Sequence, residues 1–388
     1  MSPPPRSAAS RRYLVAPDKF KGTLTGAEAA AAIAEGILRA DPGAQLMLFP
    51  FADGGEGTVE AVVLAGGERR VNRVTGPLGG DVDASWAMYE GTAFIEMAES
   101  SGLRHVRPTP ASALRADTRG TGELIAHALD DGVDRIVIGL GGSATTDGGF
   151  GALRALGIRF VDVDGTDLTR VEDADRTDRI DTTRAHPRLG EVDIRLCSDV
   201  LSPLHGPDGA ASVFGPQKGA DTVTVARLQR RLEHLGALYD GLAGADADAA
   251  RTRGGAAGGL AAGMIAVLGA HIESGVEVLA QLLGLDERIL AADAVIVGEG
   301  SLDEQSRFGK TPVGIARRAQ RLGIPVVAVV GTTDLAPHAL ADDGIGGIFS
   351  AVAHAPTPDD ALRDPTRYVA AAAESAARYM LAPPIDIR

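Results

Sequence analysis

Apolar residues fall along this chain in two rhythms. Short unbroken runs, Tyr13 to Ala16, Leu46 to Phe51, Ala294 to Val297 and Val326 to Val330, are separated by longer segments whose apolar positions recur every three or four residues. Unbroken runs of this length are strands covered on both faces, and their alternation with amphipathic helices predicts βαβ units around a parallel sheet. Thr25, Gly26, Ala27 and Glu28 form a capping box, in which Thr25 accepts from the Glu28 N–H while the Glu28 carboxylate reaches back. Ile33 and Ile37 then mark the buried stripe, and Asp41, Pro42 and Gly43 stop the helix. The same grammar returns late in the chain. Strand Ala294 to Val297 leads through a loop, Gly298 to Lys310, to a helix capped by Thr311 ahead of Pro312, then to strand Val326 to Val330, a weaker strand near Ile348 to Val352, and a helix from about Thr366 to Leu381.

Between these ends the pattern changes. Strands Ala93 to Met97, Ile136 to Ile138 and Val192 to Leu196 are set among longer Gly-rich loops and an Asp-heavy stretch from Asp162 to Glu191. The predicted layout is therefore a parallel α/β domain built from residues 13–72 and 289–388, with a second α/β domain, 73–288, inserted into it. Residues 1–12, basic and Pro-rich without an apolar stretch, are expected to be a disordered tail. Val225, Leu228, Leu232 and Leu235 have helical spacing, which assigns the Arg and Glu residues among them to a solvated face.

Composition narrows the partners. A net charge of −14 and only 4% aromatic residues disfavour nucleic acid, which asks for basic surface and stacking platforms. The most apolar window, Ala256 to Ala270, is shorter than the ~20 residues a membrane helix needs, and the single Cys, Cys197, ends an apolar run as a buried thiol would. A cytoplasmic protein, monomeric or homodimeric, with small-molecule ligands is expected. Of 38 basic residues only four are Lys, and Lys19, Lys21, Lys218 and Lys310 all stand near Gly in polar runs, where a compact ammonium suits phosphate.

In open parallel sheets ligands bind beyond the carboxyl ends of strands. Asp18, Lys19 and Lys21 follow the first strand here, and Asp53 and Glu56 the second. Gly141, Gly142, Ser143, Thr145, Thr146 and Asp147 follow Ile136 to Leu140; Ser198 and Asp199 follow Val192 to Cys197; Glu299, Ser301 and Asp303 follow Ala294 to Val297. Acids, Lys and Gly-rich backbone together match a site for a Mg²⁺-bound nucleotide. Other patterns compete with this reading. Phe308, Gly309, Lys310 and Thr311 resemble the tail of a Walker A loop, but Glu304 stands where its earlier Gly belongs. Gly139 to Ala144 satisfies a loose dinucleotide fingerprint with Asp162 at the ribose distance, which would make a nicotinamide-dependent oxidoreductase. Against that, Thr145 to Gly149 places another acidic, Gly-rich stretch where the helix should begin. Strand-end acids that only capped helices would leave a non-catalytic nucleotide or metabolite sensor. Lys218 and the Gly254 to Gly259 cluster also have plain readings, as a turn residue and as close helix packing.

The blocks APDKFKGTLT, FADGGEGT, GTGELI, GLGGSATTDGG, DVLSPLHGPDGAASVFGPQKGA, GGAAGGL and VGEGSLDEQSRFGKTPVGIA together resemble the glycerate kinase type 1 family in order and spacing, from Tyr13 to about Val330. The resemblance implies a Rossmann-like domain made from both chain ends with an α/β domain inserted. It implies ATP-dependent phosphorylation of D-glycerate, at the 2-hydroxyl, to give 2-phosphoglycerate and ADP. Lys19, Thr146 and Ser202 depart from residues common in the family at those places. In the mechanism this suggests, ATP and glycerate meet between the domains. Gly141, Gly142, Ser143 and Thr145 take the phosphates, Lys21 and Lys218 neutralise the phosphoryl group, and Asp53 and Asp147 hold Mg²⁺. Asp199 is the base, with Asp18 as its rival, and Arg307 or Lys310 faces the carboxylate of glycerate.

Overall fold

The computed structural model describes residues 10–200, 202–303, 306 and 311–382. The chain enters through strands β1 (Arg12–Pro17) and β2 (Gln45–Leu48). It continues through β3 (Glu68–Thr75), β4 (Asp81–Tyr89), β5 (Thr92–Glu96), β6 (Arg135–Gly139), β7 (Arg159–Val161), β8 (Asp167–Leu168), β9 (Arg179–Asp181), β10 (Asp193–Cys197) and β11 (His271–Glu273). It returns in β12 (Ala294–Leu302), β13 (Val326–Thr333) and β14 (Ile345–Ser350).

These elements form two compact units, one reaching Asp53 and resuming at Val276, the other running from Gly54 to Gly275. In the first, five parallel strands lie in the order β14, β13, β12, β1, β2. Both chain ends thus supply one sheet, as the alternation of apolar runs predicts. One sheet face places Tyr13, Val15, Ile296 and Val329 in a core with Ile33, Ile37, Val369 and Ala373 of helices Gly26–Ala40 and Pro365–Leu381. These helices cross so closely that a Cβ on Gly36 would lie 2.1 Å from the Ala370 carbonyl oxygen. The Thr25–Glu28 capping box is present as read. Although β2 stops at Leu48, the expected run to Phe51 keeps step with β1, since the Phe49 and Phe51 N–H groups donate to the Val15 and Pro17 carbonyls at 2.8 Å.

The second unit carries a mixed sheet ordered β11, β10, β6, β5, β4, β3, in which β5, β6, β10 and β11 are parallel and β3, β4 and β5 form an antiparallel meander. Trp86, Ile95, Ile138 and Leu196 of this sheet belong to one core with Leu228, Leu232 and Leu235 of helix Thr222–Asp240. A small sheet, β8, β7, β9, sits apart.

Several boundaries differ from expectation. Helix Thr58–Leu64 belongs with the inserted unit, since the Glu96 carboxylate at the end of β5 accepts from Val59, and Glu68 in β3 pairs with Met88. Residues 54–72 therefore leave the domain to which the sequence assigned them. On the far side, Arg318 holds Asp286 at 2.9 Å and also pairs with Glu277, so helices Gly275–Leu282 and Leu285–Leu290 go with the unit of the chain ends. An apolar helix beside a Gly-rich loop reads equally well as part of either domain. Arg12, which the sequence placed in the expected tail of 1–12, instead opens β1 and binds Asp293 at 2.8 Å; residues 1–9 lie outside the described residues. Among the described residues no helix is long and apolar enough to cross a membrane.

Candidate active site

In the inserted unit the parallel strands β5, β6 and β10 end at Glu96, Gly139 and Cys197, and polar segments gather at these ends. The stretch Gly54–Gly57 lies directly over two of these ends. A Cβ on Gly139 would lie 1.7 Å from the Gly54 carbonyl oxygen, and one on Gly54 would lie 2.3 Å from Cys197 Cβ, so both positions exclude a side chain. Glu96 fastens this loop. Its Oε1 accepts from the N–H groups of Gly57 at 3.1 Å and Val59 at 2.7 Å, at the start of helix Thr58–Leu64. Burial pushes its carboxyl up to about 7, against the pull of those two N–H groups. Three segments singled out in the sequence thus meet at one sheet edge: Gly54–Gly57, Gly141–Asp147 and Ser198–Asp199. Gly141, Gly142 and Asp199 are exposed there, Ser143 is half-buried, and Cys197 is buried as expected.

The Gly141–Gly149 loop is ordered from below by Asp147. This carboxylate is fully buried; Oδ2 accepts from the Thr118 N–H (2.9 Å), the Thr118 hydroxyl (2.7 Å) and the Gly151 N–H (3.0 Å), and Oδ1 from the Gly149 N–H (3.0 Å). Four donors occupy it, so the structure corrects its expected role as a Mg²⁺ ligand: Asp147 is an internal anchor. Asp117 close by has its carboxyl pushed up to about 7, by burial first and then by the charge of Asp147.

Lys218 lies inside the protein. The sequence placed it on a tight turn with phosphate as its partner, and only 2% of it is exposed. Its Nζ donates to Ser143 Oγ at 2.9 Å and to the Thr145 carbonyl at 2.6 Å. Burial brings the ammonium down to about 8, with Asp147 opposing that shift. Arg231, assigned by helical spacing to a solvated face, is also buried and donates to the Leu114 carbonyl at 3.0 Å and the Thr146 carbonyl at 3.4 Å. The Gly254–Gly259 cluster is a backbone contact: a Cβ on Gly258 would lie 2.0 Å from the Thr145 carbonyl oxygen, and the Gly148 N–H donates to the Gly258 carbonyl at 3.1 Å.

The unit of the chain ends gathers a second set. Asp18, beyond β1, accepts from the Lys19 N–H at 2.6 Å and from the Thr311 hydroxyl at 3.0 Å. Burial drives its carboxyl up to about 6, Lys19 opposes this, and the charge of Asp53 adds to it. Thr311, expected as a helix cap, is instead the first residue of helix Thr311–Arg321 and spends its hydroxyl on Asp18. Lys21 is exposed on the turn after Asp18, and a Cβ on Gly300 of β12 would come within 3.1 Å of its backbone nitrogen. Arg307 and Lys310, with Phe308 and Gly309 of the Walker-like tail, lie outside the described residues.

Among the described residues no three His, Cys, Asp or Glu gather closely enough to hold a metal by themselves. Asp18 and Asp53 stand close enough for the charge of Asp53 to add to the rise that burial gives Asp18, and such a pair would suit a dication whose other ligands are phosphate oxygens. The dinucleotide pattern fails on geometry. No helix follows Ser143; the next one begins at Phe150, and Asp162 uses its carboxylate on the Asp164 and Thr166 N–H groups and on Arg176 at 3.0 Å. Glu96, Thr118 and Arg231 were missed in the sequence. Thr118 and Glu96 had a faint signal, since each directly precedes a Gly-containing or small-residue helix start, and Glu96 also ends β5.

The profile of the glycerate kinase family matches residues 13–381. The chain is 41% identical to a glycerate kinase of Halalkalibacterium halodurans, over 90% of this chain and 93% of that one. It is also 41% identical to a glycerate 2-kinase of Escherichia coli, over 91% and 93% respectively. The crystal structure of a putative glycerate kinase 2 from Salmonella typhimurium LT2 superposes with a TM-score of 0.83 at 38% identity, covering 96% of this chain and 98% of that one. The chain belongs to the glycerate kinase family.

Proposed function

We propose that this member of the glycerate kinase family transfers the γ-phosphoryl group of ATP to the 2-hydroxyl of D-glycerate, giving 2-phosphoglycerate and ADP. The observation that carries this reading is the convergence of Gly54–Gly57, Gly141–Asp147 and Ser198–Asp199 at the carboxyl edge of β5, β6 and β10, in a chain similar along nine-tenths of its length to proteins named glycerate kinase. Choice of the 2-hydroxyl follows the name of the Escherichia coli relative.

Phosphoryl transfer depends on positioning and on neutralising charge at the oxygens. Gly141, Gly142 and Ser143 offer backbone N–H groups to the phosphates from an exposed loop, and Lys21 supplies a mobile cation. Asp199, exposed beyond β10, takes the proton of the substrate hydroxyl as its oxygen bonds to phosphorus and ADP leaves. Asp18 and Asp53 are assigned to Mg²⁺, which when bound neutralises charge on the phosphate oxygens. Arg307 and Lys310 are assigned to the glycerate carboxylate on sequence alone. ADP release over a panel of hydroxy acids, with the product identified by phosphorus NMR, tests the reading. Glycerate-dependent ADP release with 2-phosphoglycerate is expected; 3-phosphoglycerate would move the attack to the primary hydroxyl, and no glycerate-dependent release would overturn the assignment.

A further inference from the structure

Three buried donors from one side of the inserted unit reach the same short stretch of loop. Lys218 Nζ binds the Thr145 carbonyl at 2.6 Å, Arg231 Nη1 the Thr146 carbonyl at 3.4 Å, and the Tyr239 hydroxyl the Gly148 carbonyl at 2.8 Å. Lys218 follows the turn at Pro216, while Arg231 and Tyr239 lie two turns apart on helix Thr222–Asp240, all three at 5% exposure or less. Two cations and a phenol are an expensive set to bury; Lys218 and Tyr239 spend their donors on loop oxygens, and Arg231 divides its own between Thr146 and the Leu114 carbonyl at 3.0 Å.

A trans peptide holds its N–H antiparallel to its C=O, and the described chain has no cis peptide. Drawing the Thr145 and Thr146 carbonyls towards Lys218 and Arg231 therefore turns the Thr146 and Asp147 N–H groups the opposite way. A second observation points to a ligand. The hydroxyls of Thr145 and Thr146, residues 0% and 1% exposed, find no hydrogen-bond partner in the protein. Buried hydroxyls are normally satisfied, and two adjacent exceptions on a loop already polarised towards N–H groups mark a place for an acceptor.

We propose that Lys218, Arg231 and Tyr239 are positioning residues that hold the Thr145, Thr146 and Gly148 carbonyls inward, so that the Thr146 and Asp147 N–H groups and the two threonine hydroxyls are the groups turned to a phosphoryl group of the nucleotide. Lys218 then serves the reaction through Ser143 and Thr145 without touching phosphate. The inference rests on the phosphate-binding reading of this loop, and two readouts separate their fates.

The first is hydrogen exchange of the Gly141–Gly149 amides in nucleotide-free protein, which needs no activity. The second is steady-state kinetics for ATP. Lys218→Met is expected to speed exchange in this loop and to raise KM for ATP about tenfold or more, with kcat changed by less than about threefold, as for lost uniform binding. Tyr239→Phe, which removes one oxygen and keeps the packing, is expected to show the same signature at about threefold, and it decides the matter if Lys218→Met does not fold. A raised KM with unaltered loop exchange would mean that Lys218 touches phosphate directly and would overturn the proposal. So would unaltered KM and exchange in folded Tyr239→Phe and Lys218→Met proteins. Wild-type protein that releases no ADP with glycerate would sink the functional reading alone, leaving exchange, with and without ATP, to judge the loop.

Discussion

Replacing Asp147 separates a loop anchor from a metal ligand. In Asp147→Ala the N–H groups of Thr118, Gly149 and Gly151 lose their acceptor inside the protein, while the Thr118 hydroxyl keeps one contact, accepting from the Ala152 N–H at 2.9 Å. Each stranded buried donor costs ~1–3 kcal/mol, and a water entering the vacated space would recover part of that, so the sum settles near ~3–5 kcal/mol. For a domain of this size each kcal/mol lowers Tm by ~2–4 °C, which puts the expected drop at ~6–20 °C. Asp147→Asn should fall between, because a single amide oxygen can still accept from the three donors now on Oδ2 while the Gly149 N–H is left facing the amide NH₂. The assay is thermal unfolding of wild type and both variants, by circular dichroism, in EDTA and in excess Mg²⁺. The order wild type, Asn, Ala, with the same gaps in both buffers, is expected. An Ala variant melting within ~1 °C of wild type but deprived of a Mg²⁺ response that wild type shows would refute the anchor and restore the metal ligand.

The same geometry sets three further outcomes. Asp199→Asn should lower kcat about 10²- to 10⁴-fold with KM for ATP little changed, and unchanged turnover would remove Asp199 as the base. Glu96 keeps its proton up to about 7 in the folded protein but ionises near 4.5 when unfolded, so the folded state binds more protons between these values and stability falls as pH rises through that window. Glu96→Gln, which keeps an acceptor for Gly57 and Val59 without the charge, should gain on wild type in Tm from pH 4.5 to 7 and then level off; a difference that does not vary with pH would count against a buried, late-ionising Glu96. Gly36→Ala should lower Tm by ~3–8 °C despite the better helix propensity of Ala, since its Cβ would meet the Ala370 carbonyl at 2.1 Å, whereas Gly190→Ala, with nothing within 4 Å, should melt like wild type.

What the sequence showed and what it hid divide along a physical line. Buried parallel strands announce themselves because both faces must be apolar, so Tyr13 to Ala16, Ala294 to Val297 and Val326 to Val330 were legible, and the capping box at Thr25 was too, because its partners are three residues apart. The gathering of loops at one edge was legible too, because segments that follow neighbouring parallel strands emerge at the same side of the sheet. Contacts made over long separations left no such trace. Asp147 and Thr118 are 29 residues apart, and Lys218 and Ser143 are 75 apart. An Asp in a Gly-rich loop has the same appearance whether it faces a cation or four N–H and O–H donors of its own protein, and a Lys beside a Gly looks alike on a turn and under one.

That ambiguity has a direction. The residues misplaced by the sequence reading, Asp147, Lys218 and Arg231, were all assigned to ligand or solvent because they carry charge, and all three are buried against the loop that follows β6. A Gly-rich loop has too few side chains to pack itself, and the left-handed conformations at Gly142, Gly148 and Gly149 leave its backbone groups turned at unusual angles. Something must satisfy those groups, and beside the backbone of Gly258 it is charged or long polar side chains that reach them. The charge that the sequence offers near such a loop is therefore divided between two tasks, holding the loop and meeting the ligand, and burial is what tells them apart. By that criterion the exposed Asp199 and Lys21 keep the ligand roles proposed for them, while the buried three hold the loop.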